Sequence, residues 1–362
     1  MDRRQNLATA FANDFLTGAR FANIVEARSR AAEILAQPIQ PGTELAKFVD
    51  ESVERGLIRA AKVIASFGAP EQIYDRLVGL YRSQPTLGTR SSTSIAQQAY
   101  STPLPIAYLA AQMAGINPKT TVYEPTAGNG SLLLTVEPSQ GIANELNPER
   151  AAELRVQGYD VTESDAIEYL PAQQVDVILM NPPFGSVRLD NGTVKEFEIP
   201  AAGIDSRTFV SSQVDHAIAL NSLRAMKQNG RAVLFLGGML GDERSRSRRY
   251  NSQLNRNFYY TLYSQYKVTR HISIDGSLYS RQGASFPIDL ILIQGRGKSR
   301  LNLPAAELPR IYRSFDELKE LLPRAIVSRH QQSLDALHDR INNSSFNSSA
   351  STPNPIGNKL RL

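Results

Sequence analysis

Apolar residues recur at helical spacing through the first ninety positions, separated by arginine, lysine, glutamate and aspartate. Phe21, Ile24, Val25 and Ala32 mark a predicted helix over 18–36. Leu57, Ile58, Ala61, Val63 and Ile64 mark another over 43–66, and a third follows at 70–83, with Gly68 and Pro70 punctuating the join. The polar, turn-rich run 85–101 reads as a linker. A helix is expected over 103–114, with Thr102 as its N-cap and Pro103 at its first position. From 120 to 295 short apolar runs alternate with helical patterns. Strands are expected at 120–124, 141–145, 159–164, 175–180, 231–237, 270–275 and 288–294, with helices near 130–136, 148–157 and 213–228. That alternation implies an α/β domain with a mostly parallel, doubly wound sheet. The last two strands follow each other without a clear helix between them, which predicts an antiparallel hairpin at one edge. Residues 186–212 and 241–266 show no periodicity and read as long loops. One or two helices are expected in 315–341, and a disordered tail in 342–362, rich in Asn and Ser.

Composition narrows the class. The 362 residues are 41% hydrophobic and 21% charged, enough for a sizeable core. There is no cysteine, which excludes disulfides and thiolate-ligated metal, and four histidines form no metal-spaced cluster, so no metal site is expected. The first residues lack the long apolar run of a signal peptide, and no stretch is apolar enough to span a bilayer. Together these predict a cytoplasmic protein. A net charge of +5 is compatible with a polyanionic partner.

The candidate chemistry concentrates at strand ends. VYEPTAGNGSLLL (122–134) follows the first strand, and Gly128 and Gly130 allow a sharp turn and close ligand approach. Glu124 ends that strand. Glu145 ends the next one, where a carboxylate can accept both hydroxyls of a ribose, and Asp165 lies after the third, within reach of an adenine amino group. Three acidic strand ends beside one glycine turn point to an adenosine-containing ligand beyond the carboxyl edge of the sheet.

The fourth strand, VDVILM, runs directly into Asn181-Pro182-Pro183-Phe184-Gly185. Two consecutive prolines fix their own φ and bias the preceding residue to extended backbone, so the loop is rigid. It holds the Asn181 side chain and the Pro182 carbonyl in fixed directions. Both accept hydrogen bonds, and an exocyclic NH2 offers two donors. Gripped in this way, the amine lone pair points at an electrophilic methyl, while Phe184 presents a face on which a flipped-out base can stack.

These segments resemble the N6-adenine DNA methyltransferases of the amino-methyltransferase group over roughly 97–295. EPTAGNG (124–130) is similar to their first cofactor motif, NELNP (144–148) to the second and SDA (164–166) to the third. NPPF (181–184) resembles their catalytic motif, and AYSTP (99–103) their additional upstream motif, placed as in type I modification subunits and Eco57I-like enzymes. The resemblance implies a Rossmann-like class I methyltransferase fold: α/β, with a seven-stranded, mostly parallel sheet, an antiparallel edge hairpin and an N-terminal helical domain. It implies S-adenosylmethionine as cofactor, bound by Tyr100, Thr102, Pro103, Glu124, Pro125, Thr126, Ala127, Gly128, Asn129, Gly130, Glu145, Leu146, Asp165, Ala166 and Asn181. It implies catalysis by Asn181, Pro182, Pro183 and Phe184 on adenine N6 in duplex DNA with the target base flipped. Domain boundaries follow: a helical domain over 1–90, a catalytic domain over 91–300, a helical extension over 301–341 and the tail.

Arg244, Arg246, Arg248, Arg249 and Arg256, with Tyr250 among them, form a candidate DNA-binding cluster. Lys119, Lys195 and Arg188 are lesser candidates. Arg20, Arg28, Arg30 and Arg59 read as solvated helix faces, and His216 as structural. No large recognition domain follows the catalytic motifs, so target reading falls to the long loops, the N-terminal helices or a separate specificity, helicase or restriction partner. An amino-methyltransferase acting on RNA or on protein glutamine, and a non-catalytic nucleic-acid-binding module, are the alternatives.

Overall fold

The computed structural model describes residues 6–87, 100–189, 191–200 and 208–323. Four helices come first: α1 (Leu7–Leu16), α2 (Ile24–Leu35), α3 (Glu44–Ala65) and α4 (Pro70–Ser83). The Asn23 side chain accepts from two backbone N–H groups at the start of α2, and the Thr43 hydroxyl from one at the start of α3. α5 (Leu104–Ala114) precedes β1 (Val122–Glu124) and β2 (Gly141–Asn144). α6 (Pro148–Val156), β3 (Asp160–Thr162) and β4 (Val175–Met180) follow, then the two-stranded ribbon β5 (Phe197–Pro200) and β6 (Thr208–Ser211). α7 (Val214–Ser222) leads into β7 (Met226–Gly237). The chain continues through α8 (Glu243–Tyr250), α9 (Gln253–Gln265), β8 (Tyr266–Ile274), β9 (Ile288–Arg296), β10 (Arg310–Tyr312) and α10 (Phe315–Lys319).

The main sheet has the order β3-β2-β1-β4-β7-β9-β8-β10. Every neighbouring pair is parallel except those made by β9, which runs antiparallel between β7 and β8. This is a Rossmann-like, mostly parallel sheet, with eight strands where seven were expected. The added edge strand β10 is three residues long, too short to leave a periodic signal. The order reverses direction between β1 and β4, which opens a crevice at their carboxyl ends. VDVILM becomes a central strand because its apolar run is buried on both faces. Helices α1 to α5 pack on one side of the sheet in one apolar cluster, and α7 and α9 on the other.

Helix α4 ties distant segments together. The Tyr74 hydroxyl donates to the Phe315 carbonyl at 3.0 Å and the Tyr81 hydroxyl to the Leu278 carbonyl at 2.7 Å.

Several expectations need correction. Helix α1 lies where none was expected. Residues 131–135 form successive turns in place of the helix expected near 130–136. Thr102 does not cap α5: Pro103 takes the cap position, and the Thr102 hydroxyl is used elsewhere. The stretch 186–212 carries the ribbon β5–β6, and 241–266 is two helices, α8 and α9. Of 315–341 only α10 falls among the described residues; most of the 85–101 linker and the whole 342–362 tail lie outside them. Among the described residues no helix is long and apolar enough to cross a membrane, and no cluster of three or more carboxylates and histidines is placed to hold a metal.

Candidate active site

The crevice at the carboxyl ends of β1, β2 and β4 is a cavity of about 470 Å³. It is bordered by Tyr100, Thr102, Glu124, Pro125, Thr126, Ala127, Gly128, Glu145, Leu146, Asp165, Ala166, Asn181, Pro183 and Phe184, all expected from sequence. Pro103, Asn129, Gly130 and Pro182 do not border it.

The glycine turn shows why. Gly128 has φ +55° with open space where a side chain would stand, so the backbone conformation is what demands glycine there. Gly130 has φ +88°, and a Cβ on it would meet Leu154 Cδ2 at 3.0 Å. Its role is packing the turn onto α6. The Asn129 side chain turns away from the cavity and donates to Glu51 Oε2 at 2.7 Å. Its assignment as a cofactor ligand is therefore replaced by a structural one.

Two carboxylates stand at the back. Glu145 accepts from the Gly128 N–H at 2.7 Å through one oxygen and from the Asn147 N–H at 2.8 Å through the other. Asn147 in turn caps α6, with Pro148 at its first position. Glu145 is thus held by the backbone it shapes. Glu124 is 2% exposed and its Oε2 has no hydrogen-bond partner. Burial, and then the neighbouring Glu145 charge, push its carboxyl well above the usual carboxylate range. Between them Asn144 spends its whole amide on the frame: it donates to the Pro125 and Ser164 carbonyls and accepts from Thr162 Oγ1 and the Ser164 N–H. Asp165 is exposed and accepts from the Ile167 N–H at 3.0 Å.

Asn181 occupies the front. Its Nδ2 donates to the Tyr100 carbonyl at 3.2 Å and to Thr102 Oγ1 at 2.9 Å. A carbonyl oxygen only accepts, so the nitrogen must face it and the amide cannot be turned over. Both N–H bonds are then spent on the protein. Oδ1, shielded from solvent, is left with no partner. A buried acceptor without a donor costs about 1–3 kcal/mol until one arrives. Phe184 is half-buried over Gly237, whose N–H donates to Asp215 Oδ2 at 3.0 Å.

Sequence reasoning missed the contribution of α3. Glu51 accepts from Arg150 at 3.0 Å as well as from Asn129. Arg59 pairs with Glu153 at 2.8 Å, and Lys62 donates to Gln157 and to the Tyr159 hydroxyl. Arg150 borders the cavity. Burial alone would lower its pKa, but Glu51 and Glu54 raise it above the ordinary arginine value. The signal in the sequence is Arg59, expected there on a solvated helix face. Arg28 and Arg30 are likewise paired, with Asp50 and Asp14.

The basic cluster divides. Arg244, Arg248, Arg249 and Arg256 are exposed on α8 and α9, away from the cavity lining. Arg246 and Tyr250 are not surface groups, which removes both from the nucleic-acid set. Arg246 is 6% exposed and donates to Met239 O, Ser273 Oγ and Pro309 O. The buried Tyr250 hydroxyl donates to Asp289 at 2.8 Å. His216 is buried and stacked on Phe258, with ring centroids 3.9 Å apart, and burial lowers its pKa. Lys195 borders the cavity with its Nζ 5.3 Å from the Phe197 ring centroid.

No protein-family model and no curated protein matches the chain. Solved structures resemble it at low identity. One is a protein from Listeria monocytogenes assigned as a class I S-adenosylmethionine-dependent methyltransferase (13% identity, 89% of this chain and 99% of that one, TM-score 0.43). Another is the modification subunit of an assigned type I restriction enzyme from Vibrio vulnificus (12% identity, 91% and 69%, TM-score 0.43). A third is the M. jannaschii tRNA m1G37 methyltransferase (13% identity, 56% and 52%, TM-score 0.33). The fold assignment stands on strand order and register.

Proposed function

We propose that the chain is an S-adenosylmethionine-dependent methyltransferase acting on the N6 amino group of adenine in DNA. The observation that carries this reading is the Asn181 amide, whose nitrogen is held by Tyr100 and Thr102 and whose Oδ1 is left without a donor, on a residue that borders the cavity. Such a group selects a donor, and an exocyclic amine is a donor where an unprotonated ring nitrogen or a carbonyl is not.

The cavity suits the cofactor. Its volume falls in the range of small-molecule sites. Glu124 offers an unpaired carboxylate oxygen to a cationic ligand, Glu145 offers its remaining lone pairs to a ribose, and Leu146, 61% exposed at the rim, offers apolar surface to a purine. When bound, the cofactor supplies an electrophilic sulfonium methyl and departs as a neutral thioether after its carbon–sulfur bond breaks. The chain does the rest by positioning. Asn181 Oδ1 accepts an amine hydrogen, Phe184 stacks on the flipped base, and the amine lone pair forms the new nitrogen–carbon bond; the Pro182 carbonyl, expected from sequence as the second acceptor, lies outside the cavity lining. The surplus proton leaves the product ammonium for water, so no strong base is needed. The exposed Arg244, Arg248, Arg249 and Arg256 are assigned to phosphate contact, which positions DNA without reading it. Sequence discrimination is left to the segments 186–212 and 241–266, the N-terminal helices or a separate specificity, helicase or restriction partner.

Purified protein with labelled cofactor, offered duplex DNA, RNA and protein in competition, tests the reading. The expected result is N6-methyladenine in DNA, reduced about 100- to 1000-fold by Asn181→Ala or Phe184→Ala with folding retained. Label in RNA or in protein glutamine instead, or DNA binding with no transfer, would overturn it.

A further inference from the structure

Helix α3 touches both halves of the site. Glu51 and Glu54, one turn apart on the same face, reach different loops. Glu51 accepts from Asn129 of the glycine turn at 2.7 Å and from Arg150 of α6 at 3.0 Å. Glu54, 6% exposed, accepts a hydrogen bond from the Ser101 hydroxyl. Ser101 stands between the two residues that hold the catalytic amide, since Asn181 Nδ2 donates to the carbonyl before it and to the hydroxyl after it. Any movement of Ser101 therefore moves both anchors of that amide.

A helix packed on a sheet ordinarily turns an apolar stripe inward. α3 does so at Val49, Val53, Leu57 and Ala60, yet its charged residues 51, 55, 59 and 62 are also engaged, on the glycine turn and α6. Burying that much charge is unfavourable unless every group is paired. Here the partners sit on the glycine turn, on α6 and just beyond it, and one of them, Arg150, borders the cavity.

We infer that Glu51 and Glu54 are positioning residues on one rigid strut: Glu54 orients the Asn181 amide through Ser101, and Glu51 sets the cofactor turn through Asn129 and Arg150. This rests on the reading of Asn181 as the amine acceptor. The division of labour follows from the contacts. Loss of Glu54 acts first on the amide, through Ser101, and reaches Arg150 only through its charge, whereas loss of Glu51 removes the hydrogen bonds to the glycine turn and to Arg150.

The test uses the full chain with Glu54→Ala, Ser101→Ala, Glu54→Gln and Glu51→Ala. Lys47→Ala, which removes an exposed ion pair with Glu44 on the same helix, is the control. Folding is checked by thermal melting, and Ser101→Ala decides the matter if Glu54→Ala does not fold. Glu54→Ala and Ser101→Ala are expected to slow single-turnover methyl transfer ~10- to 100-fold. In both, the Kd for S-adenosylhomocysteine is expected to stay within ~3-fold. Glu54→Gln, whose amide oxygen still accepts from Ser101, retains the wild-type rate. Glu51→Ala is expected to weaken cofactor binding ~10-fold, with the rate restored at saturation. The side-chain amide NMR signal of Asn181 provides a readout independent of turnover, losing its exchange protection in Ser101→Ala and Glu54→Ala but not in Lys47→Ala. Folded Ser101→Ala and Glu54→Ala proteins with wild-type amide protection would overturn the inference, as would parallel losses of rate and affinity in Glu51 and Glu54 variants. A wild-type protein that transfers no methyl while its amide signal responds as expected would overturn the proposed function and leave the strut standing.

Discussion

Asn181 and Thr102, 79 positions apart in the chain, are joined by a 2.9 Å hydrogen bond from amide nitrogen to hydroxyl oxygen. Thr102 is 1% exposed, so the bond is formed out of reach of water. Thr102→Val keeps the shape and removes the acceptor. One amide N–H is then unpaired, and the side chain is held by the Tyr100 carbonyl alone. The expected outcome is a loss of roughly 1–3 kcal/mol in stability and a fall of ~10- to 100-fold in single-turnover rate, with cofactor affinity little changed. Equal rates for Thr102→Val and wild type would separate Thr102 from the orientation of the amide.

Glu124 is held well above the ordinary carboxylate pKa, first by burial and then by Glu145. The folded ligand-free protein therefore binds this proton more tightly than the unfolded chain does. The stability it contributes is complete below the unfolded pKa and is lost as pH rises through the folded one. Glu124→Gln never ionises. Its Tm should match the wild type near pH 4 and exceed it by a growing margin toward pH 8. Binding of the cationic cofactor should strengthen with pH in the wild type and be flat in the variant. Parallel Tm curves for the two proteins would show that Glu124 ionises normally.

Arg246 and Arg249 share a helix and should behave in opposite ways. Arg246→Ala strands three buried acceptors and is expected to cost roughly 2–4 kcal/mol, seen as a lowered denaturant midpoint. Arg249→Ala should leave stability within ~0.5 kcal/mol, while the salt dependence of DNA binding loses a slope of about 1. An unchanged slope for each of Arg244, Arg248, Arg249 and Arg256 in turn would remove α8 and α9 from the DNA interface.

Lys62 is largely buried against Tyr159, and burial lowers its pKa from 10.5 to about 8. Below pH 8 both folded and unfolded chains carry the charge, and the fold bears its desolvation. Between pH 8 and 10.5 only the unfolded chain holds the proton, so stability rises with pH. Relative to Lys62→Met, the wild type should gain on the order of 3 kcal/mol across that window. Melting curves at pH 7.5 and 10 measure it, and a constant difference between the two proteins would refute the shift.

The parts of the molecule legible in sequence are those where one local rule dominates. VDVILM is apolar at nearly every position because both faces of β4 are covered, and the prolines after it fix the loop without outside help. The acidic strand ends Glu124 and Glu145 were found because strand spacing alone brings them to one edge. The rest depended on contacts that spacing does not encode. Only Arg246 and Tyr250 of α8 are buried, so ERSRSRRY carries no apolar periodicity and read as loop. Asn129 sits in the middle of the glycine turn, yet its direction is set by Glu51, 78 positions earlier. Arg59 of α3 was expected on a solvated face because its partner Glu153 lies on α6, 94 positions away and beyond the range of any local pattern.

The two tyrosine bonds of α4 have a consequence for how the chain comes into being. Tyr74 finds its acceptor 241 positions later and Tyr81 finds its own 197 positions later. A ribosome that has released the first eighty residues has supplied neither partner. These two bonds close only once residues 278 and 315 have emerged. Contacts this remote slow folding, and they make late synthesis the step at which the nascent protein is most exposed to misassembly.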